Sequence, residues 1–256
     1  MKIATWNING FAARLDFLKR WLQDRQPDVV GLQELKLIDD AFPHEEFREL
    51  GYEAITHGQK AWNGVAVLSR LPLEILQTGL PGHEEAGARL LTVMVDGDLE
   101  FTTVYCPNGK SVEHADYAAK LAWFDGLIEY WQSRDGANAV LCGDFNIVHT
   151  ALDSWRGAAA DGDIFHTQEE RARLQAVLDL GLNDLYRDRH PDEQTFSWWD
   201  YRGGSCHRGH GLRIDLILGS DAVRDSLLQV ATDRDYRKKQ DGMTASDHAP
   251  VIAELA

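Results

Sequence analysis

The sequence predicts a single α/β domain in which two packed mixed β-sheets are flanked by helices, as a four-layer sandwich. Three observations indicate this class. Short apolar or alternating segments typical of strands recur along the whole chain. Stretches with apolar residues at helical spacing lie between some of them, so both element types contribute to the core. No low-complexity linker or fixed repeat divides the chain, and residues 1–256 are expected to form one domain.

The elements are predicted from these patterns in chain order. Residues 2–9 alternate apolar and polar side chains and are followed by Gly10, which is typical of a strand. A helix follows around residues 13–22, and Pro27 ends that element. Further strands are predicted at residues 28–34, 64–69, 89–95, 101–105, 139–146, 195–199, 212–218, 227–232 and 250–255. Further helices are predicted at residues 43–50, at 111–131 and after Thr167, which forms a capping-box pattern with Glu170.

Charge and cysteine content restrict the class of protein. The formal net charge of −15 argues against a protein that coats nucleic acid, because neutralising phosphates takes Lys and Arg. A nucleic-acid enzyme needs only a local basic surface or a divalent cation at its site. No stretch has the length of a membrane span, and no signal-peptide core follows Met1. The three cysteines lack metal-motif spacing. We therefore expect a cytoplasmic monomer that does not bind membranes.

The segment at residues 139–146 is the one around which the chain is organised. Four apolar residues run into Gly143 and are followed by Asp144 and Asn146. Because side chains alternate along a strand, these two polar residues are expected on one side, where they can hold a phosphate and its attacking water. The alternative interpretation is a strand end closed by Asx-turn chemistry, which is common for Asp and Asn. The segment alone favours this second interpretation.

Polar residues also end other apolar runs, namely Asn7, Glu34, Asp144, Asn146, Asp215 and Asp247. In α/β sheets, ligands bind where strand ends meet. Carboxylates such as Glu34 and Asp144 are the ligands that Mg²⁺ or Mn²⁺ prefers, and the absence of a Cys or multi-His cluster makes zinc a poorer fit. The sequence therefore predicts a Mg²⁺ site, with Mn²⁺ as a substitute.

Asp215 lies within an otherwise apolar strand, where a lone carboxylate is costly unless it is paired. We expect His248, just before the last strand, as its partner, because a carboxylate fixes the tautomer of an imidazole and supports its positive charge. The alternative for His248 is a structural histidine at the start of a strand.

Taken together in chain order, these segments resemble the exonuclease III branch of the endonuclease/exonuclease/phosphatase superfamily. The matching segments are Trp6-Asn7-Ile8-Asn9-Gly10, Gly31-Leu32-Gln33-Glu34, Gly58-Gln59-Lys60, Tyr105-Cys106-Pro107-Asn108-Gly109, Gly143-Asp144-Phe145-Asn146, Phe196-Ser197-Trp198-Trp199-Asp200-Tyr201-Arg202, Leu212-Arg213-Ile214-Asp215 and Ser246-Asp247-His248-Ala249-Pro250. The resemblance implies a two-sheet α/β fold and a metal-dependent phosphodiesterase. It also implies that the substrate is double-stranded DNA, cut 5′ to an abasic site or trimmed at a 3′ end that carries a nucleotide or blocking group.

The resemblance also implies roles for individual residues. Glu34 corresponds to the metal-binding glutamate, with Asn7 beside it and Asp247 as a further carboxylate near the metal. Asp144 corresponds to the aspartate that orients or deprotonates the attacking water. Asn146 and Tyr105 correspond to side chains that bind the scissile phosphate, and Asn108 to a substrate contact. His248, oriented by Asp215, lies next to the phosphate. Whether Asp144 or His248 takes the proton of the water stays open.

The segment at residues 201–213 is expected to contact DNA. It contains Arg202, Arg208 and Arg213 and no acid, and four glycines predict a flexible loop. Basic side chains contact phosphates, and an aromatic residue can pack on an exposed sugar or a flipped-out abasic site. Trp198 resembles the pocket residue of the family, and Trp199 is expected in the core if the two alternate on a strand.

Two other functions compete with the repair nuclease. The first keeps the fold but acts on a small phosphoester, as phosphatases of the superfamily do; the aromatic and basic segment argues for DNA instead. The second is a catalytically silent DNA-binding module, which would lack the counterparts of Glu34, Asp144 or His248, and none of these is missing.

Overall fold

The computed structural model describes residues 1–256, which form twelve strands and seven α-helices. The strands are β1 Lys2–Asn7, β2 Val29–Gln33, β3 Glu53–His57, β4 Val65–Ser69, β5 Leu73–Thr78, β6 Leu90–Val95, β7 Leu99–Tyr105, β8 Ala139–Asp144, β9 Asn183–Asp184, β10 Asp215–Gly219, β11 Leu227–Thr232 and β12 Val251–Leu255. The helices are α1 Phe11–Arg25, α2 His44–Glu49, α3 Ala115–Gln132, α4 Gln168–Leu178, α5 Leu185–Arg189, α6 Ser205–Arg208 and α7 Asp221–Asp225.

The strands form two six-stranded sheets. The first sheet has the order β11-β12-β1-β2-β4-β3, and the second has the order β5-β6-β7-β8-β10-β9. Only the pairs β1–β2 and β7–β8 are parallel, so both sheets are mixed. The predicted class is therefore confirmed.

Three apolar layers of similar size explain the four-layer arrangement. The largest lies between the two sheets and contains Ile3, Val29 and Val140. A second layer joins the first sheet to α1 and α2, and a third joins the second sheet to α3 and α4. Because side chains alternate along a strand, each sheet presents one apolar face to its partner sheet and the other to helices.

The face between the sheets also explains why polar residues cluster at one edge. Along β8, Val140 and Cys142 belong to the layer between the sheets, and Asp144 is the next residue with the same orientation. Asn7 follows Ile3 on β1 in the same way, and Asp215 precedes Ile217 on β10. The apolar layer between the sheets therefore ends in polar side chains contributed by both sheets.

Several predicted elements differ from the observed ones. Residues 195–199 make only isolated bridges, Trp198 with Leu212 and Trp198 with His248, so the strand predicted there is wrong. Strands β3 and β5 were not predicted, because each is an edge strand with partly exposed residues and little alternation. The glycine-rich segment expected to be a flexible loop contains a short 3₁₀ turn, Arg202–Gly204, followed directly by α6. The capping box of Thr167 and Glu170 is present at α4 as predicted.

None of the seven α-helices combines the length and the apolar composition that a membrane-spanning helix requires.

Candidate active site

Asn7 joins the two sheets at the polar edge. Its amide nitrogen Nδ2 lies 2.9 Å from Glu34 Oε1, just past β2, and 2.9 Å from Asp144 Oδ2, at the end of β8. Its Oδ1 accepts a hydrogen bond from the backbone N–H of Asn9 at 3.0 Å. Both ends of the Asn7 amide are therefore occupied within the protein. Asn7 orients the two carboxylates through its Nδ2, and the prediction that it also binds the metal stays a prediction, since its Oδ1 accepts one hydrogen bond and keeps a second lone pair.

Asp144 is fixed by the backbone around it. A Cβ on the preceding Gly143 would lie 1.9 Å from the carbonyl oxygen of Val104, so only glycine allows β8 to approach β7 here. Strand β8 ends at Asp144, and Asn146 adopts a left-handed conformation with φ of 50°. The N–H of Asn146 donates to Asp144 Oδ1 at 3.0 Å, which is an Asx turn. The strand therefore ends in an Asx turn, and the same turn holds Asp144 at the polar edge, so the two interpretations of this segment are compatible.

Asp215 and His248 form the predicted pair. His248 Nδ1 lies 2.8 Å from Asp215 Oδ2 and 3.1 Å from Oδ1, and both side chains are buried. The other ring nitrogen, Nε2, lies 3.8 Å from Asp144 Oδ2. The backbone N–H groups of Ile214 and Asp215 both donate to Ser197 Oγ, which holds the start of β10 in place. The imidazole is thus fixed between two carboxylates.

The charges at this site determine where its protons lie. Burial alone would lower the pKa of His248, but the negative charges of Asp215, Asp144 and Asp247 outweigh that effect and raise this pKa to about 10. Burial raises the pKa of Asp144 to about 7, against the opposing positive charge of His248. At neutral pH the imidazole is therefore a cation that faces the carboxylate of Asp144.

Tyr105 ends β7 beside this pair, and burial, with the charges of Glu34 and Asp144, raises the pKa of its phenol well above its usual range. The phenol therefore stays protonated and can donate a hydrogen bond. The guanidinium of Arg89 lies 4.9 Å from the centre of the Tyr105 ring and donates to the Tyr105 carbonyl at 3.1 Å. Sequence reasoning missed Arg89, because an arginine at the start of a strand carries no functional pattern.

Glu34, Asp144 and His248 bring a ligand atom each to within 4.8 Å of one another. The two carboxylates supply the oxygen atoms that Mg²⁺ or Mn²⁺ prefers, and Glu34 keeps part of its surface exposed, with 16% of the side chain accessible. His248 is charged and bound to Asp215, so it does not fit as a ligand. A hard divalent cation bound by Glu34 and Asp144, with water completing its coordination, fits these residues.

Asp247 lies beside Asn9 and Trp198. Its Oδ1 accepts a hydrogen bond from Asn9 Nδ2 at 2.8 Å, and its Oδ2 accepts one from Trp198 Nε1 at 3.0 Å. It is absent from the group of ligand atoms around Glu34. The prediction that Asp247 lies near the metal stays a prediction, although both of its oxygens already accept hydrogen bonds from protein groups. Asp247 fixes the indole of Trp198.

Lys36 is a second residue that sequence reasoning missed. Its Nζ lies 2.9 Å from Glu34 Oε2 and donates to Asn9 Oδ1 at 2.6 Å. In the sequence, only its position two residues after Glu34 indicates that Lys36 lies near the site. Through Lys36 and Asn9, polar contacts run continuously from Glu34 to Asp247 and so to Trp198.

The substrate-binding residues predicted around the edge are placed as follows. Trp198 is partly exposed and Trp199 is fully buried, as expected for the two tryptophans. Arg202 is 91% exposed, with its guanidinium 2.8 Å from Asp200, and Arg208 is also exposed. Asn108 is exposed after β7, where its Oδ1 accepts a hydrogen bond from the N–H of Lys110. The side chains of Arg202, Arg208 and Asn108 thus remain accessible to a ligand.

Arg213 is different, because its side chain is 2% exposed. Its Nε lies 2.7 Å from Asp153 Oδ1, and its Nη2 lies 2.7 Å from Asp184 Oδ2. Arg187 binds the same oxygen of Asp153 at 2.6 Å. The prediction that Arg213 contacts DNA is wrong. It is a structural residue that joins the segment after Asn146 to the start of β10.

Proteins of known function are similar to this chain in sequence and in fold. A family model described as the endonuclease/exonuclease/phosphatase family matches residues 4–248. The exodeoxyribonuclease III of Haemophilus influenzae is 36% identical over an alignment of 269 residues that covers 100% of both chains. The structure of the 3′ phosphatase NExo from Neisseria, bound to a product DNA hairpin, has a TM-score of 0.94 and 37% identity and covers 100% of this chain and 99% of that one. An AP endonuclease from Archaeoglobus fulgidus has a TM-score of 0.94 and 30% identity over the same shares.

Proposed function

The chain belongs to the endonuclease/exonuclease/phosphatase family, and on this basis we propose that it is a metal-dependent DNA phosphodiesterase of base-excision repair. It hydrolyses double-stranded DNA 5′ to abasic sites and removes nucleotides or blocking groups from 3′ ends. Full-length similarity to an exodeoxyribonuclease III, a 3′ phosphatase and an AP endonuclease supports this reaction class. The activities in these names have one reaction in common, the hydrolysis of a phosphoester in DNA.

One observation carries the proposal: Glu34, Asp144 and His248 meet at the edge where the two sheets join, within 4.8 Å of one another. In-line hydrolysis of a phosphodiester needs an activated water, neutralised phosphate oxygens and a stabilised leaving oxygen. A protein with a formal net charge of −15 that binds an anionic polymer also needs local positive charge. The cationic His248 and a bound metal both supply it at this point.

The protein groups have separate roles in the reaction. The carboxylate of Asp144, fixed by Asn7 and by the Asn146 N–H, orients the attacking water and accepts its proton. The imidazolium of His248, held by Asp215, neutralises a non-bridging phosphate oxygen. Tyr105 and Asn146 donate hydrogen bonds to the phosphate. Because His248 already carries a proton, Asp144 is the better candidate for the base.

We propose that Glu34 and Asp144 hold Mg²⁺, with Mn²⁺ as a substitute, and that water completes the coordination. When bound there, such an ion would supply Lewis acidity for hydrolysis of the phosphoester. The ammonium of Lys36, 2.9 Å from Glu34 Oε2, partly balances the negative charge of Glu34. We infer that the enzyme acts in the cytoplasm, in keeping with three cysteines that are all unpaired, and we propose that it acts as a monomer.

Recognition of the lesion is assigned to the aromatic and basic residues near the site. Trp198, fixed by Asp247, packs on the sugar of the abasic or 3′-terminal nucleotide. Arg202, Arg208 and Asn108 contact phosphates and sugars of the duplex, which positions the DNA without reading its sequence.

The test is cleavage of three labelled duplexes, one with a single abasic analogue, one with a 3′ phosphate and one intact, each with Mg²⁺ and with EDTA. We expect metal-dependent incision at the lesion and removal of the 3′ phosphate, and the ratio of their rates ranks the two activities. Failure to cleave any duplex in Mg²⁺ or Mn²⁺ would contradict the proposal and direct attention to small phosphoesters. Cleavage that survives EDTA would contradict the metal site.

A further inference from the structure

A buried lysine lies behind the active site, at a position that no part of the mechanism uses. Lys120 belongs to α3, and its side chain is fully buried. Its Nζ lies 2.5 Å from Glu170 Oε1 in α4, and Glu170 is fully buried as well. Two charges placed this deep are costly to desolvate. A pair of apolar side chains of similar volume would serve stability at least as well, so stability alone does not account for the ion pair.

The ammonium also contacts the two loops that carry substrate-binding residues. It donates to the carbonyl oxygen of Asn146 at 2.7 Å and approaches the carbonyl oxygen of Asn108 at 3.3 Å. Those loops leave the neighbouring parallel strands β7 and β8 at the same edge of the second sheet. With Glu170, these contacts use all three hydrogens of the ammonium. One side chain thus connects both loops to α4.

Asn146 needs such support because of its backbone. Its φ of 50° lies in the left-handed region, which asparagine adopts more readily than most residues but which still costs free energy that contacts with the surroundings offset. The amide of Asn146 is aimed by a hydrogen bond from Nδ2 to the carbonyl oxygen of Cys106 at 3.0 Å. Lys120 holds the carbonyl at the other end of the same residue. A shift of either contact would therefore move the amide relative to Asp144.

Glu170 anchors the ammonium to a rigid element. Its Oε1 also accepts a hydrogen bond from the N–H of Phe165 at 3.1 Å, and its Oε2 accepts from the N–H and the hydroxyl of Thr167 at 3.1 Å and 2.9 Å. The bond from the Thr167 N–H is one half of the capping box of α4, and the other half is the bond that the Glu170 N–H donates to Thr167 Oγ1. The carboxylate cannot follow Lys120 if the loops move, so the pair acts as a fixed point.

We propose that Lys120, anchored by Glu170, is a positioning residue for catalysis, which sets the Asn146 and Asn108 loops against the scissile phosphate. This inference rests on the proposed phosphodiesterase function. The lysine does not touch the substrate and acts only through the carbonyl groups that it binds. A displacement of a binding group by about 1 Å can lower turnover by about 10²-fold. Loss of Lys120 should therefore lower kcat and leave KM almost unchanged, because Trp198 and the exposed arginines still hold the DNA.

The experiment uses the double variant Lys120→Met with Glu170→Gln, which removes both charges, keeps the volume and leaves an acceptor for the cap of α4. Steady-state kcat and KM are measured on the 3′-phosphate and abasic duplexes and are normalised to the folded fraction from circular dichroism. We expect kcat to fall by about 10- to 100-fold and KM to change by less than about threefold. Lys120→Arg keeps the charge and the donors and should recover at least about a third of the wild-type kcat.

The matched control is the double variant Arg134→Met with Glu100→Gln. This ion pair is also largely buried, with 18% and 12% of the two side chains exposed. Glu100 lies at the opposite end of β7 from Tyr105, about 16 Å away along the strand. A purely structural role for Lys120 predicts that both double variants behave alike, with kcat per folded molecule unchanged.

If the double variant does not fold, the single variant Lys120→Gln tests the same inference. Lys120→Gln keeps a polar contact to Glu170 but is too short to reach both carbonyls, so the same fall in kcat is expected. A kcat within about threefold of the wild type in the folded Lys120→Met, Glu170→Gln double variant or in folded Lys120→Gln would overturn the inference. Wild-type activity measured in parallel separates the two proposals: an inactive wild type contradicts the phosphodiesterase, whereas active variants contradict only the role of Lys120.

Discussion

Replacing Arg213 with methionine distinguishes a structural arginine from one that binds DNA. The guanidinium is 2% exposed and pairs with Asp153 and Asp184, which are 0% and 8% exposed at their side chains. Methionine keeps most of the volume but leaves both carboxylates without this partner. Breaking a buried ion pair by removing one member costs about 3–5 kcal/mol, because an uncompensated charge stays behind. Arg187 still neutralises Asp153, so the lower end of that range applies.

The assay is thermal and urea unfolding followed by circular dichroism. For a chain of this length each kcal/mol corresponds to a change in Tm of about 2–4 °C, so we expect a decrease of about 6–12 °C. The matched control is Arg208→Met, because Arg208 is exposed in α6. That variant should keep its Tm and lose affinity for DNA, with the slope of log K against log salt reduced by about one. An Arg213→Met protein that is as stable as the wild type but shows the reduced salt slope would refute the structural role.

Four further predictions follow from the site. Asp144→Asn should lower kcat by at least about 10³-fold at an unchanged Tm, as single-turnover cleavage would show; near-normal cleavage contradicts the mechanism. Trp198→Ala should reduce the preference for abasic over intact duplex more than it reduces overall binding, and equal losses in titrations of both duplexes would exclude the pocket role. Against the cost of burial, two arginine partners lower the pKa of Asp153 to about 2, so its contribution of about 2 kcal/mol should be present above pH 4 and lost as pH falls towards 2. Urea unfolding at both pH values checks this, with Asp153→Asn as the variant that lacks the slope. Because folding raises the pKa of His248 to about 10, the protonated imidazole stabilises the folded state fully below pH 6.5, and this contribution is lost as pH rises towards 10. Asp215→Asn should lower the pKa of His248 and so move the loss to lower pH, which an NMR titration of the imidazole would show.

Much of this fold could be predicted because its core strands carry strong local patterns. Strand β8 is a continuous apolar run, and α4 begins with a capping box, so both were located from residue order alone. The edge strands β3 and β5 have exposed residues and weak alternation, so nothing in their sequence separates them from loops. Residues 195–199 show the opposite error, since their aromatic content is typical of a strand while their backbone makes only isolated bridges.

The candidate site was predictable where a polar residue ends an apolar run, as for Glu34, Asp144 and Asp215. It was not predictable where the role depends on which neighbour an atom faces. Asn7 and Asp247 are predicted near the metal from their residue types, but residue order does not reveal that Asn7 spans the two sheets or that Asp247 holds the indole of Trp198. Arg213 lies in a basic segment and yet points inward to carboxylates that are distant in sequence. Such pairings depend on tertiary structure, which residue order does not reveal.

The active site lies across the junction of the two sheets, and this has a consequence for how the enzyme loses activity. Asn7 and Glu34 come from the first sheet and Asp144 and Asp215 from the second, and the amide of Asn7 spans the gap. Neither sheet holds a complete set of reacting groups. A displacement of one sheet relative to the other would therefore separate the reacting groups even while both sheets remain folded. On slow heating, turnover should consequently fail at a lower temperature than the circular dichroism signal, and the interval between the two temperatures measures how firmly the sheets are docked.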